Sequence, residues 1–169
     1  MLEPSYQGII YFENDPKKRL TGRKLEAVLN LLHTAFEGSR TREEIMLWIK
    51  GSKTGTKDFP YPITNCEVLI IEDVANSKIA GAIITADYRD VRYIPLLATN
   101  PEYQRRGIAK VMVEAIKGLQ REGVEIRVHH RGHLRKFYKS LGFNVENTGI
   151  KYSRGKPESI HRARWIKPK

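Results

Sequence analysis

Residues Gln104-Arg105-Arg106-Gly107-Ile108-Ala109 have the types and the spacing to hold a phosphate. They follow an apolar, strand-like run, Tyr93 to Thr99, and they open a strongly helical one. In that run Ile108, Val111, Met112, Ala115, Ile116 and Leu119 fall three and four apart, along one face of an α-helix. The first N–H groups of a helix lack intrahelical partners and carry partial positive charge, so a strand–turn–helix junction can grip an anion. Gly107 lets the anion approach the backbone with no Cβ in the way. Arg105 and Arg106 add charge-assisted hydrogen bonds. Taken alone, the same six residues equally describe a helix start with a basic surface turn.

The spacing Gln104-x-x-Gly107-x-Ala109 resembles the acyl-CoA signature of the GNAT N-acetyltransferase superfamily: Gln or Arg, two residues, Gly, one residue, then Gly or Ala. The preceding Leu97-Ala-Thr-Asn-Pro-Glu-Tyr103 is similar to that family's fourth strand running into its pyrophosphate loop. About thirty residues further on, Leu134-Arg-Lys-Phe137-Tyr138-Lys-Ser-Leu-Gly142-Phe143 is similar to its later motif, an aromatic pair followed by a helix end in Gly-Phe. The resemblance covers the second half of the chain by motif and the first half by element order. It implies an acetyl-CoA donor and an amine acceptor. It implies that Gln104, Arg105, Arg106, Gly107, Ile108 and Ala109 surround the pyrophosphate, that Leu97, Ala98 and Thr99 offer a strand edge to the pantetheine arm, and that Phe137 touches the cofactor. Tyr138 stands where the family often has its general acid, and a phenol of pKa about 10 matches a thiol of similar acidity. Simple cofactor contact is the alternative role, because Phe137 and Tyr138 also share a helix with core positions Leu134 and Leu141. One departure stands out. The family commonly starts this helix with Asn and has Ala three residues on; here those positions are Arg131 and Leu134, so the resemblance does not carry pantetheine contact to this point, and an Arg131 side chain has the reach for a phosphate or the acceptor instead.

Acyl transfer from a thioester to an amine needs a proton taken from the acceptor, a donor for the developing oxyanion and a proton for the leaving thiolate. A backbone N–H near Leu97 or Ala98 suits the oxyanion. The base is less legible, since no Glu lies between Val91 and Thr99. His129 and His130, at the end of an alternating strand, are candidates, as are Glu43 and Glu44. His129, His130 and His133 lack a paired-cysteine motif or an evident fourth ligand, so no metal is expected. Cys66, the lone cysteine, heads an apolar strand and reads as a buried thiol; with no disulfide to make, it fits a reducing cytoplasm.

These residues need a scaffold, and the chain supplies one in order. Gly8 to Phe12 reads as a strand. Thr21 is placed to cap a helix burying Leu25, Val28, Leu29, Leu32 and Phe36, which Gly38-Ser39 ends. Off that stripe, His33 reads as a solvated imidazole. Thr41 and Glu44 have capping-box spacing before a second helix with Ile45, Trp48 and Ile49 inward. Residues 51–65 read as a long loop, with Phe59 and Tyr61 suited to a wall over an acceptor site. Its Gly-Lys-Thr flavour is not a P-loop, because the spacing is wrong and no strand precedes it. Glu67–Glu72, Ile79–Asp87 and Val91–Thr99 form an antiparallel meander. The cradle helix ends at Gly123; Val124–His129 is a strand parallel to Val91–Thr99; Arg131–Leu141 is a helix closed by Gly142; one or two strands finish the chain. The expected fold is α/β (α+β): a mixed, mostly antiparallel sheet with helices on both faces, and, by the resemblance, central parallel strands splayed apart around the cofactor. Residues 1–169 are expected to form a single domain.

Composition sets the partners. The net charge is +11, from 30 Lys and Arg against 19 Asp and Glu, a field that favours anions. It argues against polycationic acceptors and toward a protein or peptide amine, or an aminoacyl-tRNA. Lys151, Arg154, Lys156, Arg162, Arg164, Lys167 and Lys169 face only Glu158 in the sequence, a basic tail suited to tRNA, a ribosome or an acidic protein. No apolar run approaches bilayer length and the N-terminus has no secretory pattern, so no membrane partner is expected and the cytoplasm is the expected place. A homodimer stays open. So do two readings without turnover: a nucleic-acid-binding module on the same fold, and a CoA-binding regulatory domain.

Overall fold

The computed structural model describes residues 5–36, 39–55, 59–153 and 156–168. Its elements run β1 (Tyr6–Phe12), α1 (Gly22–Ala35), α2 (Arg42–Lys50), β2 (Ile63–Asp73), β3 (Lys78–Tyr88), β4 (Val91–Thr99), α3 (Ile108–Leu119), β5 (Glu125–Arg131), α4 (Arg135–Ser140), β6 (Asn144–Ser153) and β7 (Lys156–Ile166). They build one seven-stranded sheet in the order β1-β2-β3-β4-β5-β7-β6. Every neighbouring pair is antiparallel except β4 and β5, which α3 connects and which run parallel.

Helices cover both faces. On one, Val28, Leu29 and Leu32 of α1 and Ile45, Trp48 and Ile49 of α2 pack on Val68, Ile70, Ala82, Ile84, Leu96 and Ala98. On the other, Ile108, Met112, Val113 and Ile116 of α3, with Tyr138 of α4, pack on Leu69, Ile71, Ile83, Ile94, Ile126 and Val128. These two sets alternate along β2 and β3, as the pleat requires, while on β4 Ile94 and Leu96, two residues apart, fall on opposite faces. The capping box of α2 is formed: the Glu44 N–H donates to Thr41 Oγ1 at 3.1 Å, and the Thr41 N–H donates to Glu44 Oε2 at 2.9 Å. Thr21 takes the N-cap position of α1 with extended backbone, but its hydroxyl makes no capping bond.

The parallel pair is barely a pair. β4 and β5 are in register only at Arg92↔Ile126 and Tyr93↔Arg127, and beyond them the strands part. The parting coincides with a bulge. On β3 Ile84 and Ala86 are two apart; their partners Leu96 and Tyr93 on β4 are three apart. The extra residue falls around Ile94-Pro95, and Pro95 has no N–H to lose from a ladder there.

Several boundaries differ from the sequence reading. β2 starts at Ile63, inside the expected loop, because Ile63 and Thr64 pair with Tyr88 and Asp87; a bulge with Asn65 at φ 48° then interrupts the alternation and hides the strand. α3 ends at Leu119, and Gly123, at φ 76°, shapes the turn that follows rather than the helix end. Arg131 closes β5; a 3₁₀ turn at Gly132–Leu134 intervenes, and α4 begins only at Arg135. The tail forms two strands, and its charge is partly spent within the fold: Arg162 and Arg164 each donate to Glu146 across the hairpin, at 2.8 and 2.7 Å, and Lys167 Nζ donates to the Gln120 carbonyl past the end of α3, at 2.7 Å. Gly38, Arg154 and Lys169, and the side chains of Lys151, Lys156 and Glu158, lie outside the described residues.

Candidate active site

The turn before α3 is pinned before it reaches the cradle. Asn100 Oδ1 accepts the Glu102 N–H at 3.1 Å, capping the 3₁₀ turn Pro101–Tyr103. Tyr103 is buried and donates its hydroxyl to Asp73 at 3.0 Å. A hydrogen bond from Asn76, burial notwithstanding, holds the Asp73 carboxyl below its ordinary range, so it stays an acceptor. Next, Arg105 and Gly107 take the left-handed conformation, at φ 63° and 78°. Alternation of conformations of this kind turns successive N–H groups toward a common point, an anion nest. A Cβ built on Gly107 meets no protein atom within 4 Å, so the space above the nest is open. Gly81 on β3 has the opposite surroundings: a Cβ there would stand 2.8 Å from Ile108 Cγ2 and Met112 Cε, and this small residue is what lets α3 lie close on the sheet.

The nest opens into a cleft of about 1070 Å³. It is lined from both faces of the sheet and passes through the gap where β4 and β5 part. Leu97, Ala98, Thr99, Gln104, Arg105, Gly107, Ile108, Ala109, Phe137 and Tyr138 all line it. Arg106 does not; its guanidinium donates to the Tyr6 hydroxyl oxygen at 3.0 Å and lies 5.4 Å from the centre of the Tyr103 ring. At the α1–α2 end the walls are Phe36, Arg40, Phe59, Tyr93, His129 and Arg131. Phe59 packs edge-on to Trp48 at 5.0 Å, while Tyr61 is exposed under the Arg89 guanidinium.

Tyr138 is buried at 3% exposure, between Phe143 and the His130 ring, which stacks on it at 4.7 Å. Burial pushes its phenol above the ordinary range, so it keeps its proton at any physiological pH. His130 donates from Nδ1 to the Arg131 carbonyl at 2.8 Å and leaves Nε2 buried without a partner. Burial, with His161 and His133 nearby, lowers its basicity; the His161 ring lies parallel to it at 5.6 Å. His129 projects to the other face and meets the Tyr93 hydroxyl, 3.0 Å from Nδ1. His129 and His130 therefore point apart, as neighbours on a strand must. Glu44 is engaged in its capping box, and Glu43 and Glu44 line, with His33, a separate recess of about 560 Å³ at the start of α2. Cys66 is buried and its thiol is pushed up to about 12 by burial, which leaves it inert.

Sequence reasoning missed Tyr93, Arg40 and Lys110 as cleft residues. Tyr93 carried a faint signal, a polar aromatic inside an otherwise apolar strand, but the bulge beside it inverts the apparent facing of the residues that follow.

A strand edge left open beside an anion nest, with aromatic side chains across the gap, defines a site for an extended, phosphate-bearing ligand. The family model for the GNAT acetyltransferase domain matches residues 64–154, more than half of the chain, and the chain belongs to that family. No curated protein matches its sequence. Among solved structures, an acyl-CoA N-acyltransferase from Pseudomonas aeruginosa superposes with a TM-score of 0.64 at 15% identity, covering 94% of this chain and 99% of that one. The ribosomal-protein-S18-alanine N-acetyltransferase of Escherichia coli gives 0.64 at 18%, covering 96% of each. Arabidopsis thaliana NAA60, solved in complex with acetyl-CoA, gives 0.61 at 13%, covering 95% of this chain and 98% of that one. At these identities the likeness is one of fold.

Proposed function

We propose that this chain, acting as a single domain in the cytoplasm, transfers the acetyl group of acetyl-CoA to an amine. The observation that carries the reading is the continuous cleft from the Arg105–Gly107 nest, past β4 where β5 parts from it, to the aromatic walls at the α1–α2 end. A cleft lined from both faces of the sheet suits a donor and an acceptor that meet in the middle. Acetyl-CoA, when bound, supplies an activated thioester. The chain's own residues do the rest. Gln104, Arg105, Gly107, Ile108 and Ala109 hold phosphate with backbone N–H groups and a guanidinium. One backbone N–H near Leu97 or Ala98, on the β4 edge that β5 leaves, serves a developing oxyanion. Tyr138, protonated and buried, gives its proton to the departing sulfur. Phe137 and Leu134 keep water from the thioester.

The acceptor we favour is a protein or peptide amine, or an aminoacyl-tRNA, over a polycation. The net charge of +11 supports this, as does the presence of a ribosomal-protein-S18-alanine N-acetyltransferase among the structural neighbours. The test is calorimetric titration of acetyl-CoA into wild type and Gly107→Glu, followed by thiol release with a panel of amines: tetrapeptides, an aminoacyl-tRNA and spermidine. Gly107→Glu puts a side chain and a negative charge into the nest, and binding should vanish. Wild type that binds no acetyl-CoA sinks the enzyme reading; salt-sensitive RNA binding would then favour the nucleic-acid module.

A further inference from the structure

Three rings stack beside the cleft: Tyr138 of α4, His130 of β5 and His161 of β7. His130 is in the middle, 4.7 Å from the Tyr138 ring and 5.6 Å from the His161 ring, tilted from them by 29° and 11°. The two histidines are direct cross-strand partners. We propose that the stack is a pH-dependent positioning device for Tyr138: neutral imidazoles hold the phenol in the cleft wall, and protonation of the pair releases it. His130 and His161 are positioning residues here, acting through Tyr138, and their role rests on the N-acetyltransferase reading above.

The geometry leaves no place for an added proton. The two imidazoles are 6% and 7% exposed, and His130 Nε2 and His161 Nδ1 are buried without a hydrogen-bond partner. His130 Nδ1 already donates to the Arg131 carbonyl, so in the neutral ring Nε2 is the bare nitrogen and a proton from water must add there. An imidazolium carries N–H on both nitrogens, so either ring, once charged, buries an N–H that has no acceptor. A charged His130 gains some attraction from the Tyr138 ring face, but it keeps the orphaned donor, and two charged rings directly opposite repel. Unstacking relieves both costs.

The neighbours do not compensate. Along β5 the side chains of Arg127, His129 and Arg131 alternate to the other face. On β6 Asn147 stands opposite His161, while Glu146 lies on the other face with Arg162 and Arg164. The 3₁₀ turn before α4 adds His133, and α4 adds the exposed Arg135, Lys136 and Lys139. Lys117 of α3, paired with Glu114, lies over Trp165 further along β7. His130 is accordingly held below the ordinary 6.5, by burial first and then by His161 and His133, against the Arg131 carbonyl. The unfolded or opened chain takes the proton more readily, so the stack is complete above about pH 6.5 and gives way as the pH falls toward the folded value. Tyr138 feels the change because α4 is six residues long and Tyr138 is its buried residue; apart from His130, its ring contacts are Phe137 and Phe143. The nest before α3 shares no residue with the stack.

The test begins with ligand-free wild type, carbon-13 labelled in tyrosine and histidine and titrated by NMR from pH 8 to pH 5, with Tyr138→Phe to assign the ring. The Tyr138 signals should move with the His130 midpoint, below 6.5. In His130→Phe they should stay still. In His161→Phe, which keeps a ring under His130 and removes the facing charge, the His130 midpoint should rise. With whichever amine of the panel gives thiol release, kcat of wild type should fall about tenfold further than that of His130→Phe over the same range, since amine protonation is common to both; calorimetric affinity for acetyl-CoA should hold. Tyr138 signals that stay flat while His130 titrates, an unmoved midpoint in His161→Phe, or equal kcat ratios in wild type and His130→Phe would overturn the device. If His130→Phe does not fold, the wild-type and His161→Phe titrations still decide. Wild type that binds no acetyl-CoA overturns the enzyme reading instead, while the Tyr138 signals, read without ligand, still support or overturn the stack.

Discussion

Tyr138 and His130 share one stack, and each has consequences of its own. A buried phenol that keeps its proton is useful only if something nearby becomes basic, and a leaving thiolate is such a group. Tyr138→Phe removes one oxygen and keeps the packing with Phe143. Its kcat should fall about 10- to 100-fold while acetyl-CoA affinity stays, as steady-state rates and calorimetry would show. His130 bears on stability. Its folded basicity lies below the ordinary 6.5, so the unfolded chain binds more protons in that range. The stability it contributes is therefore full above about pH 6.5 and drains away as the pH falls toward the folded value. Urea midpoints at pH 7.5 and pH 5 should differ in this direction, and His130→Phe, which keeps a ring on Tyr138, should shrink the difference.

Among the elements, the sheet's centre depends on one guanidinium. Arg92 is 5% exposed on β4, salt-bridged to Glu67 of β2 and Asp87 of β3, and donating to Thr85 at 2.7 Å and to the Asn65 carbonyl at 2.6 Å. It ties down the Asn65 bulge from the face opposite α1. Arg92→Met leaves two carboxylates unpaired, one half-buried and one exposed, and should cost about 3 kcal/mol, read from the denaturant midpoint. Elements of this kind were unevenly legible. The cradle, α2 with its box and the apolar face of α3 depend on residues within one or two turns, and a linear reading finds them. The start of β2 was hidden by a left-handed Asn, and α4 was read too early because Arg131 still belongs to a ladder whose partner, Ile160, lies far along the chain. The β4–β5 gap came from resemblance alone, since no local pattern says that two apolar strands stop pairing. Tyr93 with His129 joins residues 36 positions apart, and only the register shows it.

At the scale of the molecule, the proposed preference among acceptors rests on charge. Glu146 and the α3 terminus take up part of the tail's charge. What is left still opposes a polycation. Among amines, an acidic tetrapeptide should therefore outperform spermidine in kcat/KM at low salt, and the ratio should narrow as ionic strength rises past the point where the screening length falls below about 10 Å. Equal rates for the two, independent of salt, would remove charge as the selector.

The gap between β4 and β5 also bears on how the protein comes apart. Between a four-stranded half, β1 to β4, and a three-stranded half, β5 to β7, the sheet itself contributes only two registered pairs among the described residues, backed by the Tyr93–His129 hydrogen bond and the core under α3 and α4. The sheet has a seam. A ligand that bridges it works as a rivet: at a concentration one hundred times its dissociation constant it adds about 2.7 kcal/mol to the folded state. Without the rivet, amide exchange should be fastest on the facing edges of β4 and β5, and the two halves should loosen along that line before either melts.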